Sequence, residues 1–163
     1  MNGGKNLEII DGLDIATYSS AGNNVPVYSM CNGTVVLKSY DADGYGNYLI
    51  MKDDKTGMGF LYGHLRDATP LNVGDKVQIG TFVGIEGTTG SSTGIHLHVE
   101  MQDISTHDWI FGADKSYYTN PAEFMGIPNV EGTVCIYNGT PIDPPEPEPP
   151  EPEPPTPSSK KKR

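Results

Sequence analysis

Cysteine is nearly absent: Cys31 and Cys135 are the only two in 163 residues. Neither has a second cysteine at the spacing of a metal knuckle or redox motif, which excludes a disulfide-framed scaffold and a thiolate metal site. Pairing between them has no support from spacing, and both read as structural, with Cys31 a small buried residue in an apolar run. Basic residues are scarce too. The chain holds 11 Lys and Arg against 21 Asp and Glu, for a net charge of −10 and a pI near 4.6. Residues 1–140 alone carry 7 against 16. Nucleic acid and anionic membrane are therefore poor partners. No apolar run approaches the length of a membrane span. Nor does any charged start followed by an apolar core resemble a signal peptide. A protein of this kind that acts outside a cell needs something else to export or release it. Helical periodicity is also missing up to residue 105.

Turns and short β-prone runs are abundant instead. Twenty glycines punctuate the chain. After a flexible lead-in over 1–6 come Leu7–Ile10 and Leu13–Ala16 around Asp11-Gly12. Val25–Cys31 then passes through Asn32-Gly33, read as a hairpin turn, into Thr34–Leu37. Turns at Asp43–Asn47 and Asp53–Gly57 precede Tyr48–Met51 and Met58–Leu65. Further short runs lie at 72–80 and 82–85, and a last strand ends near Met101. This pattern predicts an all-β antiparallel sheet or sandwich with a groove. Residues 103–120, with Trp109, Phe111, Tyr117 and Tyr118, break the pattern and are expected to pack as a loop on the sheet edge. Asn120 as cap, Pro121 at the first position and Gly126 as stop predict one short helical turn.

Nine of the 14 prolines fall between Pro144 and Pro157, interleaved with glutamates. Residues 141–163 therefore read as a Pro/Glu-rich, extended and disordered linker ending in Lys160–Arg163. A spacer of this kind suits a further domain beyond it, and the globular domain is expected over 7–140.

The stretch with chemistry in it is Gly94-Ile95-His96-Leu97-His98-Val99-Glu100. Two histidines one residue apart in an alternating run project from one face of a strand. Imidazole is both a zinc ligand and a general acid or base near neutral pH. With His64 in a similar apolar context and Asp14 as carboxylate, a zinc-hydrolase constellation is available, with Asp14 and His98 as ligands and His64 and His96 handling protons. The alternative is a surface strand with two solvated histidines.

Several motifs favour the first reading. Gly12-Leu13-Asp14-Ile15-Ala16, Asn32-Gly33-Thr34-Val35, Gly44-Tyr45-Gly46-Asn47 and Tyr62-Gly63-His64-Leu65 are followed by Val73–Val77, Gly80, Gly84 through Gly90, and Ser92 through Glu100. In this order and spacing, over about residues 7–101, the sequence resembles the LytM/lysostaphin-type zinc metallopeptidases of the M23 family, which cut peptide cross-bridges or stems of bacterial peptidoglycan. The resemblance implies one zinc ion, held by Asp14 and His98. It makes His96 a catalytic histidine that orients or deprotonates the attacking water. His64 becomes a second catalytic histidine, stabilising the oxyanion. It also implies a substrate groove lined by Tyr62, Asn47, Thr93 and Gly94, peptidoglycan as partner, and action at the bacterial cell wall, as in a phage or prophage lysin.

One position departs from the pattern. The family places a zinc-ligand histidine four residues before the aspartate, and here that position is Ile10, which has no lone pair to give. Three readings follow. Another group, such as Glu8 or His107, replaces the ligand. Alternatively, the domain is a degenerate relative that binds peptidoglycan or activates a partner hydrolase. Third, an N-terminal part lies outside this chain.

Overall fold

The computed structural model describes residues 12–16 and 24–125. Strand β1 is Leu13–Ile15, β2 Pro26–Tyr28, β3 Gly33–Asp41 and β4 Gly46–Asp53. They are followed by β5 Met58–Leu65, β6 Lys76–Val77, β7 Phe82–Ile85 and β8 Leu97–Asp103. A one-turn 3-10 helix at Lys115–Tyr117 and the short helix α1, Pro121–Met125, complete the described elements. The larger sheet runs in the order β1-β8-β5-β4-β3-β6 with antiparallel neighbours, and β2 and β7 pair separately. The fold is all-β, as the spacing of short runs and turns requires.

Alternation along the central strands separates two apolar faces. Leu49 and Met51 of β4, Phe60 and Tyr62 of β5 and Met101 of β8 point to one side. There they meet Val27 of β2, Val83 of β7 and Cys31, forming the core between the two sheets. Tyr48, Ile50 and Leu61 point to the other side, against Leu37, Tyr45 and Trp109. Each fully buried side chain of this size contributes about 1.5–3 kcal/mol by removal from water.

Two local expectations are corrected. Asn32-Gly33 does not close a hairpin, because β2 pairs with β7 and β3 pairs with β4 and β6. Asn32 links distant segments instead: its carbonyl accepts from Asp54 N at 3.1 Å and its Oδ1 from Ile79 N at 2.9 Å. The segment after β8 is also more than an edge loop. Gln102, fully buried, holds Ile110 at both backbone groups, donating to its carbonyl at 2.9 Å and accepting from its N–H at 3.1 Å. Trp109 thereby lies on the second sheet face. Only afterwards do Tyr118 and Thr119 run along β8, through a bridge to Gln102 and a bond to Met101 O.

Helix α1 begins where expected, with Asn120 Oδ1 accepting from Ala122 N and Glu123 N. The expectations for Glu8, Ile10, Gly126, Cys135, the lead-in 1–6 and the linker 141–163 lie outside the described residues.

Candidate metal centre

Register places the candidate side chains. Asp14 of β1 stands opposite His98 of β8, and His98 in turn stands opposite Gly63 of β5, the residue before His64. The three strands are adjacent, so residues 14, 64 and 98 meet at one end of the sheet. His96 lies just ahead of β8, where its backbone N donates to Gly87 O at 3.0 Å and forms a bridge.

One ring nitrogen from each of His64, His96 and His98 lies within 4.8 Å of the other two. Asp14 Oδ1 is 2.6 Å from His98 Nδ1 and 3.6 Å from His96 Nε2. The histidines are half-buried or buried, whereas the Asp14 side chain is 63% exposed, so the cluster opens to solvent on the aspartate side.

Each imidazole is held on its far side. His64 Nδ1 donates to Thr89 O at 2.8 Å, and His96 Nδ1 to Gly94 O at 2.9 Å. A carbonyl only accepts, so in both rings the proton sits on Nδ1 and Nε2 carries the lone pair. His98 is turned the other way. Its Nε2 faces Glu100 Oε1 at 3.1 Å and its Nδ1 faces Asp14. Glu100 is buried, and the same Oε1 accepts from Tyr45 Oη at 2.8 Å.

These surroundings set the titration directions. Burial works against charge on His98, but hydrogen bonds to Glu100 and Asp14 outweigh it and raise its pKa. His64 is lowered, first by burial and then by its histidine neighbours, against the pull of the Thr89 carbonyl. Burial and the Glu100 carboxylate push Tyr45 up, which keeps its phenol protonated as a donor.

The backbone around His64 is unusual. Its φ is 57°, the only positive value at a described non-glycine residue, and such a conformation costs about 1–2 kcal/mol. The N–H of His64 donates to Tyr45 O at 2.7 Å, which pays part of that cost by fixing the turn. Gly46 and Gly90, both at positive φ, pass so close that a Cβ on Gly90 would overlap the Gly46 backbone. That approach docks the glycine- and serine-rich loop 87–94 onto the ends of β4 and β5. Thr89 Oγ1 completes the docking, accepting from Asn47 N and donating to Leu65 O.

The structure thus brings together Asp14, His64, His96 and His98. It does not bring in Tyr62, whose ring is fully buried in the core on the opposite face, its hydroxyl accepting from Met30 N at 2.8 Å. Position 62 neighbours 63 in sequence but alternation turns it away from the cluster. Asn47 is half-buried and spends its side-chain amide on Leu65 O and Arg66 O. Thr93 and Gly94 are exposed on the loop beside His96. His107 stands past the far end of β8, with its Nδ1 on Asp108 O and its ring against Tyr117, so it supplies no substitute ligand here.

Sequence reasoning missed Tyr45 and Glu100. The available signal was Glu100 at two residues after His98, the spacing that returns to the same strand face. Tyr45 needed the fold, which carries its ring to 5.9 Å from that of His98 and 6.2 Å from that of Phe111.

The donor set fits a zinc ion: imidazole nitrogens with fixed tautomers and a carboxylate oxygen are its usual ligands. A family model described as Peptidase family M23 matches residues 8–109. Endolysin 2638A of Staphylococcus phage 2638A is 32% identical over 91 residues, covering 52% of this chain and 18% of the endolysin. The peptidoglycan DD-endopeptidase ShyA of Vibrio cholerae serotype O1 is 37% identical over 76 residues, covering 47% of this chain and 17% of ShyA. The chain therefore spans less than a fifth of the length of these relatives. The catalytic domain of lysostaphin from Staphylococcus simulans shares the fold at TM-score 0.57 and 24% identity, covering 72% of this chain and 79% of that domain.

Proposed function

This chain belongs to peptidase family M23, and on that premise we propose that it is a zinc metalloendopeptidase cleaving peptide cross-links or stems of bacterial peptidoglycan. The phage endolysin among its relatives supports a lysin module acting at the cell wall. The observation that carries the reading is Asp14 Oδ1, which two histidine nitrogens approach at 2.6 and 3.6 Å while a third imidazole faces the same space.

In this proposal Asp14 and His98 hold the ion. Bound there, zinc supplies Lewis acidity at the scissile carbonyl and lowers the pKa of an attacking water. The residues of the chain do the rest. His64 presents a lone pair on Nε2, fixed by its bond to Thr89 O, and its lowered pKa keeps it neutral and able to accept a proton. His96, fixed in the same tautomer by Gly94 O, borders the cluster on the loop side. The exposed loop positions Thr93 and Gly94 form one wall for an extended peptide, and the half-exposed Phe111 packs against Tyr45 at a tilt of 49°.

A second reading is favoured by one observation, the isoleucine at position 10: a non-catalytic domain that grips peptidoglycan or activates a partner hydrolase. Digestion of purified sacculi separates the two. Release of new amino groups, lost with chelator and restored by zinc, is the expected result. Zinc-loaded protein that sediments with sacculi and leaves them intact would select the second reading.

A further inference from the structure

Among the described residues, Asp14 Oδ1 stands 3.6 Å from His96 Nε2 and 2.6 Å from His98 Nδ1, with no contribution from position 10. We infer that His96 is itself a metal ligand, so that the ion sits between His96 Nε2, His98 Nδ1 and Asp14, and His64 is left as the one free imidazole of the cluster. The inference rests on the metallopeptidase reading of this site and changes the duty of one residue within it.

Three features support it. Ligands of one tetrahedral zinc ion, each about 2.0–2.1 Å from the metal, stand about 3.3 Å apart. His96 Nε2 and Asp14 Oδ1 are already 3.6 Å apart, and His98 Nδ1 needs only to open from 2.6 Å. The tautomers also agree. Gly94 O takes the Nδ1 proton of His96, and Glu100 takes the Nε2 proton of His98. The two rings therefore offer different atoms, Nε2 and Nδ1, to one point. Outward-facing N–H groups held by carbonyl or carboxylate are the usual support of a ligating histidine.

The third feature is what excludes His64 from the set. No ion-pair contact joins it to Asp14, while His96 and His98 both make one. Its backbone N–H is held by Tyr45 O at φ 57° and its ring Nδ1 by Thr89 O, so both backbone and ring are fixed in place. One of its ring nitrogens nevertheless lies within 4.8 Å of a nitrogen on each of the other two rings, so it borders the same space. His64 alone then exchanges protons with whatever occupies the open position.

The test is zinc binding to the full chain, stripped of metal and titrated against a chromophoric chelator. The expected result is one zinc per chain, a loss of affinity of at least about 100-fold in His96→Ala, since even outer-sphere losses cost about 10–100-fold, and a change within about 3-fold in His64→Ala. Because His96→Ala could disturb the loop, a second measurement uses the unaltered protein. With cadmium-113 and nitrogen-15-labelled histidine, metal–nitrogen coupling is expected at His96 Nε2 and His98 Nδ1 and at no nitrogen of His64. Coupling absent from His96, or unchanged zinc affinity in a folded His96→Ala protein, would overturn the inference while leaving the metallopeptidase reading intact. Failure of the unaltered chain to take up zinc would overturn both.

Discussion

Tyr45 and Glu100, 55 residues apart in sequence, share a hydrogen bond of 2.8 Å, and the glutamate oxygen that receives it is the one facing His98 Nε2. The phenol thus bears on the candidate metal centre through two intermediaries. It holds the carboxylate, and the carboxylate holds Nε2 of His98, leaving Nδ1 turned toward Asp14. The other oxygen of Glu100 is buried with no partner among the described residues, so Oε1 carries the whole arrangement.

Glu100→Gln is therefore expected to lower zinc affinity about 10–100-fold, the usual cost of losing a carboxylate behind a ligating histidine. Tyr45→Phe should lower it less and cost about 1–3 kcal/mol of stability, since it leaves a buried acceptor short of a donor. Competition titration reads the first effect and chemical unfolding of the metal-free protein reads the second. Equal zinc affinity in all three proteins would contradict the relay.

At His64 the positive φ separates backbone from side-chain effects. His64→Gly should be more stable than His64→Ala by about 1–2 kcal/mol, because glycine accepts the left-handed conformation that alanine resists. Both variants lose the imidazole, and peptidase activity should fall by about 10²–10⁴ in each. Unfolding curves of the pair, together with release of amino groups from sacculi, check both halves.

The pH dependence of the metal-free protein has a definite sign at His98. Its folded pKa is raised, so its stabilising contribution is full below the unfolded histidine value of about 6.5 and is lost as pH rises through the folded value. His64, lowered, acts in the opposite sense: its contribution is present above about 6.5 and is lost as pH falls through its folded value. Urea unfolding of metal-free protein across this range should show a drop on the alkaline side that is absent in His98→Ala. A drop that survives the substitution would assign it elsewhere.

Cys31 should be inert. Burial, then the charge of Asp53, pushes its thiol up to about 11, so almost no thiolate exists at pH 8. Iodoacetamide at that pH should label Cys31 only after unfolding, as peptide mapping will show. Labelling of Cys31 in the folded protein would refute its buried placement.

The sheet and the cluster were legible because they follow from local pattern. Alternation and turn residues marked the strands, and the two histidines at 96 and 98 marked the site. What escaped depends on contacts between distant segments. Asn32-Gly33 has the chemistry of a hairpin turn, but strand pairing is decided by partners far along the chain, and β2 finds β7. Tyr62 sits in a site-like motif, yet strand alternation buries it behind the sheet. Trp109 reaches its face only because Gln102 clamps the backbone next to it, and no periodicity announces such a clamp.

Strand β1 is three residues long, lies at the edge of its sheet, and among the described residues pairs only with β8. Yet it carries Asp14, whose carboxylate meets a ring 84 positions further along the chain. An ion held there is a cross-link that closes this long loop, and its free energy of binding becomes free energy of docking for the strand. The attachment of β1 and the grip on the ion then rise and fall together, so slowed amide exchange at Leu13–Ile15 on adding zinc would report loading as faithfully as any assay of catalysis.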